Sequence, residues 1–167
     1  IGLGRMGRIV VDRVLDAGTG TGILSAYMGR IGAEVVTYEV DGDFADVARE
    51  NMAVAGVTDS VEVRTGDVTD DLDTLSGFDV VTLDTEDAPA VVERAPTLLD
   101  RGGSLAVYSP FVENTREVVE TAQSVGLDDI ETLDTIQREM DFGEGGSRPS
   151  TAGVGHTGYL TFARNSV

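Results

Sequence analysis

Hydrophobic positions along the chain form short β-branched runs that alternate with longer stretches of helical spacing. The runs of strand length cover residues 14–16, 34–40, 61–67, 78–84, 103–110, 129–138 and 156–164. The amphipathic stretches between them cover residues 23–31, 43–56, 88–99 and 113–125. Strands that alternate with helices are typical of a parallel sheet with helices on both faces. The last two strands follow each other without a helix, so we expect a hairpin there and one antiparallel strand.

An α/β fold follows from this pattern: a doubly wound, Rossmann-like sheet, mostly parallel and with a terminal antiparallel strand. Local signals add detail, since Asp43 is the expected N-cap of the second helix and Gly32 and Gly56 end two helices. Residues 141–155 are rich in glycine and serine and predict a loop. The first helix is expected to carry its apolar side chains on one side: Ile23, Leu24, Tyr27, Met28 and Ile31.

Two glycine-rich segments compete for the role of ligand loop. The first, GLGRMG with Gly2, Gly4 and Gly7, spells the dinucleotide-binding fingerprint. That fingerprint must follow a strand, and only Ile1 precedes it here. No acidic residue ends a second strand about 20 residues further on, where the fingerprint needs one. We therefore keep a nicotinamide dehydrogenase fragment only as an alternative.

The second segment, DAGTGTG, has the context that the first lacks. A strand ends at Asp16 and a helix begins directly after Gly22. Gly18, Gly20 and Gly22 let the backbone approach a ligand closely, and the helix start presents N–H groups with no partner inside the helix. This loop is the predicted ligand site, because ligands of such sheets bind at the carboxyl ends of the strands.

Two carboxylates extend this predicted site. Glu39 lies near the end of the next strand, seventeen residues after Gly22, where a carboxylate can accept hydrogen bonds from both hydroxyls of a ribose. Asp67 ends the third strand and suits the amino group of an adenine. Either acid alone is equally consistent with helix capping, but a glycine loop with two acids at consecutive strand ends favours a nucleoside site.

Charge and composition limit which classes of protein and of binding site remain possible. The chain has 30 acidic and 12 basic residues, a net charge of −18, and every basic residue is arginine. Acids spread between apolar runs indicate a folded domain from a salt-loving source, because molar salt shortens the Debye length to about 3 Å. The absence of cysteine and the single histidine argue against a thiolate or multi-histidine metal site. No apolar run reaches the roughly 18 residues of a membrane span.

The motifs are similar to those of a known family. VLDAGTGTG, YEVD and GDV resemble the cofactor motifs of class I S-adenosylmethionine methyltransferases. FDVVTLD, LAVYSPFVENTREVVE, QREM and VGHTGYL resemble the archaeal tRNA (adenine-N1)-methyltransferases that modify the T-loop at adenine 57 or 58. This resemblance covers residues 12–164. Residues 1–18 instead resemble the start of an NAD(P)-dependent 6-phosphogluconate dehydrogenase.

The resemblance implies S-adenosylmethionine as cofactor and roles for individual residues. Asp84 is expected to act on the target adenine beside the methyl group, with helix capping as its alternative. Tyr108 would border or stack on the base, or else pack in the core, and His156 would shape the base pocket or serve a structural role. The implied cofactor residues are Asp16, Gly18, Gly20, Gly22, Glu39, Asp67 and Asp84.

One departure from the family concerns the base pocket. The family usually has proline and an aromatic residue directly after this aspartate, whereas the chain has Thr85-Glu86-Asp87. Residues 1–167 are expected to be one catalytic domain without the family's N-terminal β-domain, and residues 1–11 are either part of it or a foreign, misjoined end. Small-molecule or protein-carboxyl methylation and a non-catalytic cofactor module remain alternatives.

The implied partners are tRNA and further copies of the chain, as a tetramer, in the cytoplasm. Arg138 and Arg148, in or near the glycine-rich loop, are the candidates for phosphate contacts in this acidic chain.

Overall fold

The computed structural model describes residues 12–136, 138–150 and 158–166. Its strands are β1 (Arg13–Ala17), β2 (Glu34–Glu39), β3 (Val61–Thr65), β4 (Phe78–Leu83), β5 (Leu99–Ser109), β6 (Asp128–Thr135), β7 (Met140–Gly143), β8 (Gly146–Pro149) and β9 (Gly158–Arg164). Its α-helices are α1 (Ile23–Arg30), α2 (Gly42–Ala55), α3 (Ala88–Glu93), α4 (Ala95–Leu98) and α5 (Val112–Ser124). A 3₁₀ turn covers Val68–Asp70. The predicted alternation of strands and helices is thus present.

Seven strands form one sheet in the order β3-β2-β1-β4-β5-β9-β6. Strands β1 to β5 pair in parallel, whereas β9 lies between β5 and β6 and runs antiparallel to both. The prediction of a mostly parallel, doubly wound sheet with an antiparallel strand is confirmed. The order reverses between β1 and β4, so the crevice for a ligand is expected above the carboxyl ends of these two strands.

Two apolar cores hold the layers together. The larger lies between the sheet and α3, α4 and α5, where Phe78, Leu105 and Val118 are almost completely buried. The smaller surrounds Met52 and Val61, between α2 and the β1–β3 half of the sheet. Truncating a side chain such as Phe78 would cost about 3–5 kcal/mol of stability. The cores thereby fix the strand ends that carry the site.

Two predicted helix boundaries are wrong. The N-cap of α2 is Asp41 rather than Asp43, because Asp41 Oδ1 accepts hydrogen bonds from the backbone N–H groups of Asp43 (2.8 Å) and Phe44 (3.3 Å). The single helix expected over 88–99 is broken at Arg94 into α3 and α4. Pro96 has no N–H to continue the hydrogen-bond ladder and is tolerated only in a first helical turn, which is where α4 places it.

The apolar side of α1 is largely exposed to solvent. Ile23, Tyr27 and Ile31 are 64%, 64% and 85% exposed, whereas Ser25 is fully buried. Gly29 lies so close to Val61 that a side chain would not fit there. Helical spacing identifies an apolar stripe but not its partner, and here the small residues are the ones that pack inward.

The glycine-rich loop predicted over 141–155 contains a hairpin. β7 and β8 pair in antiparallel register around a two-residue turn, Glu144 and Gly145. Such short connections are typical of hairpins. The neighbouring strands also differ from expectation: β5 begins at Leu99 rather than 103, and β6 ends at Thr135 rather than 138. Among the described helices, none has the length and apolar character to cross a bilayer.

Candidate functional site

The glycine loop lies between β1 and α1, as predicted. Gly18, Gly20 and Gly22 all have positive φ, at 91°, 54° and 80°. The backbone N–H groups of Gly18 and Thr19 donate to the carbonyl of Tyr38 at the end of β2 (3.0 and 3.2 Å). The loop is therefore tied to the neighbouring strand and turns its remaining surface toward the crevice.

Two of these glycines are also required by close contacts. A Cβ on Gly18 would overlap the main-chain carbonyl of Asp84, at the end of β4. A Cβ on Gly22 would overlap the methyl group of Met52 in α2. A Cβ on Gly20 would meet nothing within 4 Å, so the loop surface above Gly20 is open. The loop thus packs tightly underneath and leaves room above, as a ligand cradle requires.

Asp16 lies directly beneath the loop and is only 4% exposed. Its carboxylate accepts three hydrogen bonds from hydroxyl groups: Ser25 Oγ at 2.6 Å, Thr37 Oγ1 at 2.8 Å and Thr82 Oγ1 at 2.6 Å. These donors come from α1, β2 and β4, so they satisfy a buried charge and join three elements. Asp16 is placed to support the loop from below rather than to present an open oxygen above it.

The two predicted strand-end acids lie on one wall of the crevice. Glu39 is 8% exposed, and its Oε2 accepts from the N–H of Gly20 (2.7 Å) while its Oε1 accepts from the N–H of Asp41 (3.0 Å). Asp67 caps the 3₁₀ turn through Oδ1, which accepts from both the N–H and the hydroxyl of Thr69. Helix capping, the alternative role of Asp67, therefore accounts for only one of its two carboxylate oxygens.

These residues surround a cavity of about 290 Å³, whose walls include Gly18, Gly20, Glu39, Asp67 and Asp84. No basic side chain lines it within the described part of the chain. A dinucleotide pyrophosphate would meet several carboxylates there, whereas a cationic nucleoside would be attracted. In S-adenosylmethionine the sulfonium and ammonium groups provide that charge, so the lining fits this cofactor. No three carboxylate or histidine side chains among the described residues are grouped to hold a metal ion.

Asp84 follows β4 and stands where the strand order reverses. Its N–H donates to the carbonyl of Ala17 (2.8 Å), which fixes its backbone against the glycine loop. Partial burial raises the pKa of the Asp84 carboxyl above its ordinary value of 3.8, and the nearby Asp16 carboxylate raises it further. An acid whose pKa is perturbed by burial and by a second charge, beside a cavity, is typical of a functional site.

A second cavity, of about 500 Å³, also has Asp84 in its wall. Tyr108 and Phe111 form aromatic walls, and Phe111 is 65% exposed. Gly158, at the start of β9, lies so close to the Tyr108 ring that any side chain would overlap it. The pairing of Ser109 with Tyr159 brings β9 alongside the end of β5, and so brings the late GYL segment beside Tyr108.

The structure brings Asp16, Gly18, Gly20, Gly22, Glu39, Asp67, Asp84 and Tyr108 to one edge of the sheet. His156 lies outside the described residues, as do Gly2, Gly4 and Gly7. Phe111 and the three hydroxyls that contact Asp16 were not among the residues predicted for the site. Their signal was weak: a polar residue inside an otherwise apolar strand, as with Thr37 and Thr82, is the only sequence sign of such a contact.

Comparison with known proteins gives this site a context. The profile of the family described as "tRNA methyltransferase complex GCD14 subunit" matches residues 8–145. The chain belongs to this family. The GCD14 match spans β1 to β7 and thus includes the glycine loop, Asp84 and both aromatic walls.

Individual relatives agree with the GCD14 assignment. The chain is 34% identical to the tRNA (adenine(57)-N(1)/adenine(58)-N(1))-methyltransferase of Methanocaldococcus jannaschii, over 92% of the chain and 64% of that protein. The SAM-dependent O-methyltransferase of Thermotoga maritima superposes with a TM-score of 0.81 at 26% identity, covering 93% and 60% of the two chains. The tRNA (m1A58) methyltransferase of Aquifex aeolicus shares the fold, with a TM-score of 0.76 at 24% identity, covering 92% and 62%. The chain thus spans less than two thirds of each of these proteins.

Proposed function

We propose that this chain is the catalytic domain of a methyltransferase that moves a methyl group from S-adenosylmethionine to N1 of an adenine in the T-loop of tRNA. The position of Asp84 carries the proposal. Asp84 lines both the acidic cavity beside Glu39 and Asp67 and the aromatic cavity beside Tyr108 and Phe111. A group that acts on a methyl acceptor must stand at such a junction. The family and the M. jannaschii relative support tRNA adenine as the acceptor.

Different residues of the site have different roles in the methyl transfer. Bound S-adenosylmethionine supplies a methyl group on a sulfonium, and the N1 lone pair forms the new C–N bond as the C–S pair returns to sulfur. Adenine N1 carries no proton, but the ring becomes cationic and its exocyclic amine becomes more acidic. The Asp84 carboxylate accepts a hydrogen bond from that amine, which stabilises the developing positive charge. Tyr108 and Phe111 hold the base plane by stacking.

The cofactor is held by the loop and the two strand-end acids. Glu39 accepts from the ribose hydroxyls and Asp67 from the adenine amine, while Gly20 allows the ligand to approach the backbone. Asp16 keeps the loop in shape through its three hydroxyl contacts. Since Glu39 also bonds the N–H of Gly20, ribose binding and loop conformation are coupled.

Replacement of Glu39 by glutamine tests the ribose contact. One amide nitrogen replaces an acceptor oxygen, so a hydrogen bond to a charged group is lost, which is worth about 1.5–3 kcal/mol. We expect the Kd for S-adenosylmethionine to rise by about tenfold or more, measured by calorimetry. Glu34→Gln, at the exposed start of the same strand, is the matched control and should leave the Kd unchanged. Equal affinities in the Glu39 variant and the wild type would contradict the assignment.

The pH dependence tests the protonation state of Asp84. Only the ionised carboxylate places a negative charge beside the amine, so the rate falls as the pH falls through the pKa of Asp84. Because that pKa is raised above 3.8, the acid limb of the kcat profile should lie above this pH. Protonation of adenine N1 also produces an acid limb in the kcat profile. This is the only acid limb that the Asp84→Asn variant should retain. The wild-type limb should lie at higher pH than the variant's, and superimposable limbs would contradict the role of Asp84.

The cofactor choice separates this proposal from the dehydrogenase alternative. Calorimetric titration should give binding of S-adenosylmethionine and S-adenosylhomocysteine and no binding of NADP, because the loop crevice is acidic. Binding of NADP alone would contradict the proposal. Other relatives of the chain are named as a catechol O-methyltransferase and a protein-L-isoaspartate O-methyltransferase, so small catechols and isoaspartyl peptides are the acceptors against which T-loop RNA should be compared.

The proposed tRNA must be held by few cations. Arg148 lies in β8 and Arg138 just before β7, both exposed and both in the connection from β6 to β9. That connection leaves the edge where Thr135 pairs with Gly158, beside Tyr108. We assign phosphate contacts to these two arginines, with further contacts from other copies of the chain in a homo-oligomer. A tRNA substrate also implies a cytoplasmic location.

A further inference from the structure

Asn114 is a polar residue of the aromatic cavity that the mechanism above does not use. It is the third residue of α5 and lines the cavity together with Asp84 and Phe111. Its side-chain Oδ1 is buried and has no hydrogen-bond partner among the described residues. A buried acceptor without a partner costs about 1–3 kcal/mol and calls for an explanation.

The orientation of this amide is determined by its other end. The Asn114 Nδ2 donates to the main-chain carbonyl of Glu86 at 3.2 Å, in the turn that follows Asp84. A carbonyl oxygen can only accept, so the nitrogen must face Glu86 and the oxygen must be the atom left over. The unpaired atom is therefore an acceptor.

Capping of α5 does not engage this oxygen, because the N–H that it could accept is already paired with another group. The third residue of a helix often accepts from the N–H of the N-cap residue, and the N-cap of α5 is Phe111. That N–H instead donates to Ser109 Oγ at 3.2 Å. Capping of the helix therefore does not account for the free acceptor, and a ligand donor in the cavity remains.

We infer that Asn114 is a specificity-determining residue whose Oδ1 accepts the second N–H of the exocyclic amine of the target base. This inference rests on the proposed function and names the recognition within its cavity. Adenine offers two amine protons, one for the Asp84 carboxylate and one for Asn114. A guanine would present its O6 acceptor to the same two acceptors and be repelled, so the pair selects an amine-bearing base.

The test compares a T-loop RNA carrying adenine with one carrying purine, which lacks the amine, at the target position. Wild type should lose about 100-fold in kcat/KM on the purine RNA, since two hydrogen bonds disappear. Asn114→Leu should already be about tenfold slower on adenine and lose only about tenfold more on purine. An equal loss on both RNAs in Asn114→Leu would overturn the inference.

A second variant separates recognition from support of the turn. Asn114→Asp keeps an acceptor but loses the donor to Glu86. If Asn114 accepts a hydrogen bond from the amine, this variant retains the adenine preference of about 100-fold that Asn114→Leu reduces to about tenfold. If Asn114 only holds the turn, the two variants lose rate alike on both RNAs, which would also overturn the inference.

Nitrogen NMR distinguishes this inference from the methyl transfer itself. With S-adenosylhomocysteine present, adenosine should shift the Asn114 Nδ2 resonances and purine riboside should not. If these shifts appear but no RNA is methylated, the proposed function fails while the inference on Asn114 stands. If RNA is methylated and neither nucleoside shifts the resonances, the inference fails while the function stands. If neither shifts nor methylation appear, both are wrong.

Discussion

Replacement of Asp84 by asparagine is expected to lower kcat on T-loop RNA by about 100- to 1000-fold, the usual effect of removing one preorganised group that stabilises developing charge. Asparagine has nearly the shape of aspartate, so the cavity and the turn are preserved. What is lost is the negative charge opposite the amine of a ring that becomes cationic. The effect should therefore fall on the chemical step.

Single-turnover kinetics on RNA with bound cofactor measure that step directly. Asp87→Asn is the matched control, because Asp87 is an exposed aspartate three residues later that forms no side-chain cap on α3. It should react at the wild-type rate. If Asp84→Asn weakened S-adenosylmethionine binding and left the single-turnover rate unchanged, Asp84 would be a cofactor ligand and not the group that acts on the base.

Replacement of Gly18 by alanine is expected to have the second large effect, on stability and cofactor binding together. The new Cβ overlaps the main-chain carbonyl of Asp84, and φ of 91° is strained for alanine. Overpacking of about 1–3 kcal/mol and left-handed strain of about 1–2 kcal/mol together give a loss of about 3 kcal/mol in the free energy of unfolding. Relief of the overlap displaces Asp84, so the catalytic rate should fall as well.

Gly32→Ala isolates the strain from the overlap. Gly32 has a φ of 99°, but its Cβ would meet nothing within 4 Å, so only about 1–2 kcal/mol should be lost. Denaturant unfolding of both variants, with S-adenosylmethionine titrations, measures the difference. Equal losses in the two variants would mean that the contact between Gly18 and Asp84 is not tight in solution.

Much of the site could be predicted because its residues lie at or just after strand ends. The glycine loop comes between a strand and a helix, and Glu39, Asp67 and Asp84 each lie within two residues of the end of a strand. Parallel strands bring those ends to one edge of the sheet, so spacing along the chain is enough to group them. The same logic predicted the sheet and its antiparallel strand.

The contacts that spacing could not predict join residues far apart along the chain. Thr37 and Thr82 look like ordinary strand residues until the register places both beside Asp16. Asn114 looks like any polar residue of a helix. Its role depends on the fact that the N–H of the N-cap residue already donates to Ser109, which the sequence does not show. The exposure of the apolar side of α1 could not be predicted for the same reason: periodicity defines a face but not its neighbour.

The most direct measurement identifies the methylated position itself. Wild-type chain is incubated with S-adenosylmethionine and a T-loop stem-loop RNA at high salt, and the digested nucleosides are separated and identified by mass spectrometry. We expect N1-methyladenosine from wild type, and almost none from Asp84→Asn under the same conditions. Methyl transfer to the exocyclic amine, to a ribose, or to no position of the RNA while S-adenosylmethionine binds normally would contradict it.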